Sequence, residues 1–395
     1  MSRARGGGAV SPGTAVPPPS AGARRYDIDR LRILAVLLLL PFHTARVFNT
    51  GDTFYVKNAQ ESPFLQRTII DFLDPWHMPL LFALAGAATW FALGHRGGGG
   101  YIRERTRRLL VPFVFGFLVI VPPQPFVAQL PHADAERSYL GFLGSYFTNV
   151  TDLSGYDGGL TPAHLWFVLY LFLISLVVLP LLLRLHRVAI TRDVGRPWML
   201  IAMPLAMLVA EGLPSPEGAW NIFVCLVVFV AGFLLLSSER LQDVVRRRWR
   251  VVLLGGVVTM AAVYAVNGSG LADDWTDGSI QEIAFQVVES SNTWLWVLGL
   301  IGAAGAYLDR PPTRVLRYAS EAAYPWYVLH QTVIVLVAYP VVGWDLGIAP
   351  KYVAILVAST ALTFGSYELL VRRWNPVRFL FGLKPRSTGA REAVR

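Results

Sequence analysis

Residues 34–48 read Leu-Ala-Val-Leu-Leu-Leu-Leu-Pro-Phe-His-Thr-Ala-Arg-Val-Phe. Their message is an apolar helix with a histidine, His43, set deep in it and Arg46 near its end. A soluble helix carries a polar face every 3.6 residues, and this run has none. The same texture recurs along all 395 residues. Apolar residues make up 54% and charged residues only 15%, against about 25% charged in a soluble domain. The mean hydropathy is +0.46. Such a chain belongs in a bilayer.

Ten apolar segments follow one another, at 31–48, 69–93, 107–126, 161–185, 197–211, 219–238, 250–267, 292–308, 321–342 and 350–371. A bilayer offers no partner for a free backbone amide, so each segment is expected to be a helix. The fifth, interrupted by Pro204, is the weakest. With the N-terminus on the cytoplasmic side, 30 Lys and Arg residues fall in inner segments and 5 in outer ones. That bias predicts an all-α polytopic bundle of about ten transmembrane helices with N- and C-termini cytoplasmic. Residues 1–23, rich in Gly, Pro, Ala and Ser, are expected to be a disordered cytoplasmic tail. Residues 24–375 form the membrane domain, and 376–395 a basic cytoplasmic tail. No small-residue cleavage site follows the first apolar run, so no cleaved signal peptide is expected. Trp76, Trp166, Trp198, Trp294, Trp326 and Trp374 lie near segment ends, as an interfacial belt would.

The formal charge of +9 sits beside apolar segments, which reads as loop anchoring and not as nucleic-acid binding. The single cysteine, Cys225, lies in an apolar run. It excludes an internal disulfide and a thiolate metal cluster, and it reads as a small buried residue.

Ionisable groups inside apolar runs are costly, so each is a functional candidate. Arg32 precedes His43 by 11 residues. At about 100° per residue that is three turns plus ~20°, so the two share a face, about 16 Å apart along the axis. An anionic cofactor held by Arg32 at the membrane surface could lay a long arm up to an imidazole able to take a proton near neutral pH. The same placement also suits a packing histidine near the outer interface. Arg105 and Arg108, three residues apart on one helical face, could clamp phosphates or simply anchor the loop. His77 and His164 begin apolar segments on the side of His43, and His330 lies nearer mid-depth, so the four could line one cavity. No H-x-x-x-H spacing supports a metal. Asp27 and Asp29 are placed to orient Arg30 and Arg32 or to cap the helix start, and Glu321 could act in the same way. No Walker, Rossmann or G-x-S-x-G motif is present, which argues against a nucleotide-driven pump.

These residues carry a resemblance. Tyr26-Asp27-Ile28-Asp29-Arg30-Leu31-Arg32 with the run to His43 resembles the opening of the acyltransferase 3 family, whose Arg-x10-His pattern falls on Arg32 and His43. The stretch from His77 to Gly86 resembles its second-helix signature, with Ala85 where serine is common. Arg105-Thr106-Arg107-Arg108 resembles its Arg-x-x-Arg segment, and His164-Leu165-Trp166-Phe167 the start of its fourth helix. Ala319 to Gln331 resembles its late serine/tyrosine segment ending in His-Gln. The likeness covers about residues 25–375 in order and looks nearest the glucan-modifying, succinyltransferase-like branch.

The resemblance implies O-acyl transfer in the bacterial cytoplasmic membrane. An acetyl, succinyl or similar group would pass from cytosolic acyl-CoA, bound only as a substrate, to a hydroxyl of a carbohydrate, envelope glycan or other acceptor. It implies His43 as general base, or as the group that orients the hydroxyl, with His330, His77 and His164 as further catalytic candidates. Arg32, Arg105, Arg108 and Arg30 would steer the CoA phosphates. Two other readings share the ten-helix expectation, a transporter and a non-catalytic sensor. A transporter would show an internal repeat with matching broken helices, and none is evident.

Overall fold

A computed structural model describes residues 25–133, 135–150, 153–216 and 219–386. The 1–23 tail and the end of the basic C-terminal tail lie outside the described residues.

The described residues form helices joined by loops, with no strand among them. In order come α1 (Tyr26–Arg46), α2 (Pro63–His95) and α3 (Gly98–Gln129), and the short α4 (Tyr139–Tyr146). Next are α5 (Ala163–Val177) and α6 (Leu179–Ala189), α7 (Trp198–Glu211) and α8 (Ile222–Ser237). Then follow α9 (Glu239–Ser269), α10 (Ile280–Tyr307) and α11 (Arg314–Val341). α12 (Ile348–Val371) and the short α13 (Asn375–Leu380) complete the fold. Starts are chemically marked. Ser62 accepts from the amide of Leu65, Ser238 from Leu241 and Thr313 from Leu316, each satisfying one orphan donor of a first turn.

Four of these helices are long and apolar enough to cross a membrane: α2, α3, α9 and α12. A fifth is added if α5 and α6, bent by 61° where Pro180 follows Leu179, form one span. The expectation of about ten spanning helices is therefore corrected to four or five. An apolar run does not show where its helix ends or which polar residues the helix includes. α1 includes Asp27, Asp29, Arg30, Arg32 and Arg46 within its 21 residues. α7 and α8 have 14 and 16 residues, short of the ~20 a crossing needs. α10 and α11 mix their apolar residues with Gly, Ser, Asn, Gln, Tyr and His. The assignment of both termini to the cytoplasmic side rested on the count of ten and falls with it.

The protein is nonetheless a multi-pass membrane protein. α9 exposes Val251, Leu254 and Val258, and α12 exposes Val353, Val357 and Leu362. An apolar surface of that extent needs a hydrocarbon neighbour.

α1 runs through the interior and packs on α11, α10, α12 and α2. α2 and α8 approach at backbone distance. A Cβ at Gly86 would lie 1.8 Å from the carbonyl oxygen of Phe229, and one at Gly232 would lie 2.0 Å from that of Ala83. Only hydrogen fits there, which is how small residues let membrane helices close up. The aromatic belt is partly corrected. Trp198 and Trp374 are exposed, but Trp76 and Trp294 are buried. Trp76 stacks on Trp296, and the indole of Trp294 donates to the carbonyl of Leu200 at 2.8 Å.

Candidate active site

α1 is continuous through Pro41, so Arg32 and His43 do sit on one helix, about 16 Å apart along its axis. His43 is half-buried, and its Nδ1 is buried with no hydrogen-bond partner. Its ring centroid lies 5.0 Å from that of His330 on α11 and 6.3 Å from that of Phe54. His330 in turn lies 5.1 Å from His164, edge to face. Three of the four candidate histidines are thus brought together from α1, α5 and α11. His77 enters from α2, with its Nε2–H donating to the carbonyl of Ala35 at 2.6 Å and its ring 6.4 Å from that of Phe42, and its field still reaches His43 and His330.

Hydrogen bonds fix which nitrogens carry protons. Backbone carbonyls only accept, so a ring nitrogen that meets one must be N–H. His330 Nδ1 meets the carbonyl of Tyr327 at 2.6 Å. Its Nε2 is then a bare lone pair, buried and unpartnered. His164 Nε2 meets the carbonyl of Val328 at 3.0 Å, which leaves its Nδ1 as the acceptor. The backbone before His164 is strained. Ala163 has φ +44°, left-handed, unlike every other described non-glycine residue, at a cost of about 1–2 kcal/mol. Thr161 Oγ1 accepts from the amide of Ala163 at 2.9 Å, and the hydroxyl of Tyr327 donates to the carbonyl of His164. These bonds hold the turn that aims His164 inward.

The arginines divide. Arg105 donates to Thr89 Oγ1 at 2.7 Å and lies 4.8 Å over the ring of Tyr101. Thr89 in turn donates to the carbonyl of Ala85, so the local bonding at this departure from the serine pattern is satisfied from the next turn. Arg108 pairs with Glu104 at 3.0 Å, and Arg32 with Asp29 at 2.8 Å. Arg32, Arg96, Arg105 and Arg107 all exert their fields on Arg108, so one end of the bundle gathers positive charge. α3 makes a π-helical turn at Thr106–Leu110, the kind of local widening often found at functional sites. Arg30 turns elsewhere. It donates to the carbonyls of Leu308, Arg310 and Pro311 at 2.6, 2.8 and 2.9 Å, closing the end of α10. Glu321 pairs with Arg378 at 2.7 Å and fastens α13 to α11.

Gln124 went unnoticed in the sequence. It is fully buried and binds Gln331 and Thr332 beside the histidines. A single amide inside the run Val121-Pro122-Pro123-Gln124-Pro125-Phe126 was the available signal. Among the described residues no group of three or more His, Cys, Asp or Glu is arranged to hold a metal ion.

Taken together, these features define a membrane-embedded helical bundle with a histidine cluster inside and a cluster of arginines at one end. Residues 25–368 match the model of the acyltransferase 3 family, described as an acyltransferase domain, and the chain belongs to that family. It is also similar to the glucans biosynthesis protein C of Escherichia coli strains SMS-3-5 and K12 DH10B. Identity to each is 24% over 158 residues, which cover 40% of this chain and 38% of the relative. The chain thus spans well under two thirds of the length of the curated relatives it matches. No solved structure matches it.

Proposed function

We propose that this protein is a membrane O-acyltransferase that moves an acyl group, acetyl or succinyl, from acyl-CoA to a hydroxyl of a carbohydrate or envelope glycan. One observation carries the reading. His43 and His330 lie ring against ring, and each keeps a buried nitrogen without a partner. Buried polar atoms are almost always satisfied, so two adjacent orphans mark a place where another molecule supplies the bond.

In the proposed reaction the acceptor hydroxyl gives its proton to His43 as its oxygen attacks the thioester carbonyl carbon. The C–S bond breaks, and the proton passes to the leaving thiolate. His330 stands beside His43 with its lone pair fixed and stabilises the protonated ring. The packed helices keep water from hydrolysing the thioester. Arg32, Arg105 and Arg108 hold the CoA phosphates, and the axial rise from Arg32 to His43 gives the pantetheine arm its path. Arg30 is already committed to carbonyls and is left out of the binding set. The long apolar helices, with the likeness to proteins of a bacterium, support a place in the bacterial cytoplasmic membrane.

The test is transfer of label from radiolabelled acetyl-CoA and succinyl-CoA to an envelope glycan extract by protein in nanodiscs, beside His43→Ala. Label moving with the native protein alone is expected. Full transfer by the variant would remove His43 from its role.

A further inference from the structure

Gln124 has no polar surface to reach, yet none of its polar atoms is idle. Its orientation follows from a carbonyl some way off. α3 turns through a second π-helical stretch at Gly116–Ile120, after which Pro122, Pro123 and Pro125 bring no amide hydrogens. The amide of Gln124 bonds to the carbonyl of Val121. The carbonyl of Ile120 is left with no backbone donor in reach, and Thr332 Oγ1 donates to it at 2.8 Å. A hydroxyl has one hydrogen, so towards Gln124 the Thr332 oxygen can only accept. The Gln124 amide nitrogen must therefore face Thr332, which it does at 2.7 Å. Its carbonyl oxygen faces Gln331 Nε2 at 2.9 Å, and its second N–H points at His164 Nδ1, 3.5 Å away.

We propose that Gln124 is a positioning residue for the histidine cluster. It grips Gln331 and Thr332, the two residues after His330, and presents a donor to the bare nitrogen of His164. It thereby fixes the register of α11 that sets His330 against His43, and offers a donor to His164 Nδ1, the nitrogen that the Val328 carbonyl leaves bare. The proposal rests on the acyl-transfer reading for its kinetic consequence and on hydrogen bonding alone for its structural one. Gln124 touches neither substrate, and the arginines lie at a separate cluster, so the donor is bound as before when Gln124 is changed.

The test uses the full chain in nanodiscs, labelled with ¹⁵N-histidine, with His164→Ala to assign the signal. In the native protein His164 is expected to show a bare Nδ1 and a protonated Nε2. In Gln124→Glu, a carboxylate replaces the donor, and a second proton should appear on Nδ1 while Nε2 keeps the one it gives to Val328. The accompanying kcat should fall about 100-fold, the usual consequence of a misplaced catalytic group, with KM for acyl-CoA within about twofold. An Nδ1 that stays bare, an unchanged kcat, or a loss that lies in KM would overturn the proposal. If Gln124→Glu does not fold, Thr332→Val decides. It removes the oxygen that orients the amide, and the same split between kcat and KM is expected, with native kcat overturning the idea. If the native protein transfers no acyl group at all, the acyl-transfer reading fails by itself. The protonation of His164 Nδ1 in native and Gln124→Glu protein then settles the positioning role alone, an unchanged signal rejecting it.

Discussion

His43 and His330 face each other at 5.0 Å between ring centroids, one on the first helix and one on the eleventh. His330 spends its Nδ1–H on Tyr327 one turn back, while His43 Nδ1 is buried with no partner. What the pair shares is the space between them.

The pair should act as a unit. His43→Ala and His330→Ala are each expected to lower kcat by about 10²–10⁴-fold, the range for general acid–base groups. The double variant should cost little more than either alone, as groups in one catalytic step do. Single-turnover rates of the four proteins check this, and strictly multiplicative losses would separate the two residues.

The arginines should split into two phenotypes. Arg32→Ala, Arg105→Ala and Arg108→Ala are expected to raise KM for acyl-CoA. Arg105→Lys should fail to restore it, because an ammonium cannot reproduce a planar fork. Arg30→Ala should leave KM alone and lower stability by about 1 kcal/mol, having removed the donors that close the end of α10. Donor titrations beside thermal melts in detergent distinguish them.

Gly86→Ala should be among the most damaging small substitutions. Its new methyl would meet the Phe229 carbonyl, which is backbone and cannot swing away. A loss of about 1–3 kcal/mol is expected, the cost of overpacking. Gly97→Ala, with open space around it, is the control for the melting temperatures.

Asp193 offers a pH test away from the membrane. Partial burial acts to raise its pKa, but hydrogen bonds from Ser238 and from the amides of Gly195 and Arg240 outweigh this, and the net shift is downward. A depressed carboxylate stabilises the fold above its ordinary value near 4. That contribution drains away as pH falls through the lowered value. Asp193→Asn should therefore be less stable than native at neutral pH and converge with it in acid, with a small gap because the group is exposed.

Much of the site could be read from the chain because its logic is local. Arg32 and His43 share a face by helical period alone, and Arg105 and Arg108 are neighbours by the same rule. His77 could not be told from His43 in this way, because what separates them is a bond to the carbonyl of Ala35 on another helix. Arg30 looked equivalent to Arg32, yet three carbonyls beyond the end of α10 claim it.

The sequence by itself determined an all-helical membrane protein with histidines inside and arginines at helix ends. Composition and period are properties of neighbouring residues, and a bilayer leaves helices few alternatives. Only the tertiary structure decided how many helices are long and apolar enough to cross, since that depends on where each helix stops and on the polar groups it includes. Only the tertiary structure chose the protonated nitrogen on His77, His164 and His330. It also gave Gln124 its neighbours, which come from α5 and α11. A hydrogen bond between residues some 200 positions apart, such as that from Gln124 to Thr332, leaves no trace in local periodicity and is fixed only when the helices pack.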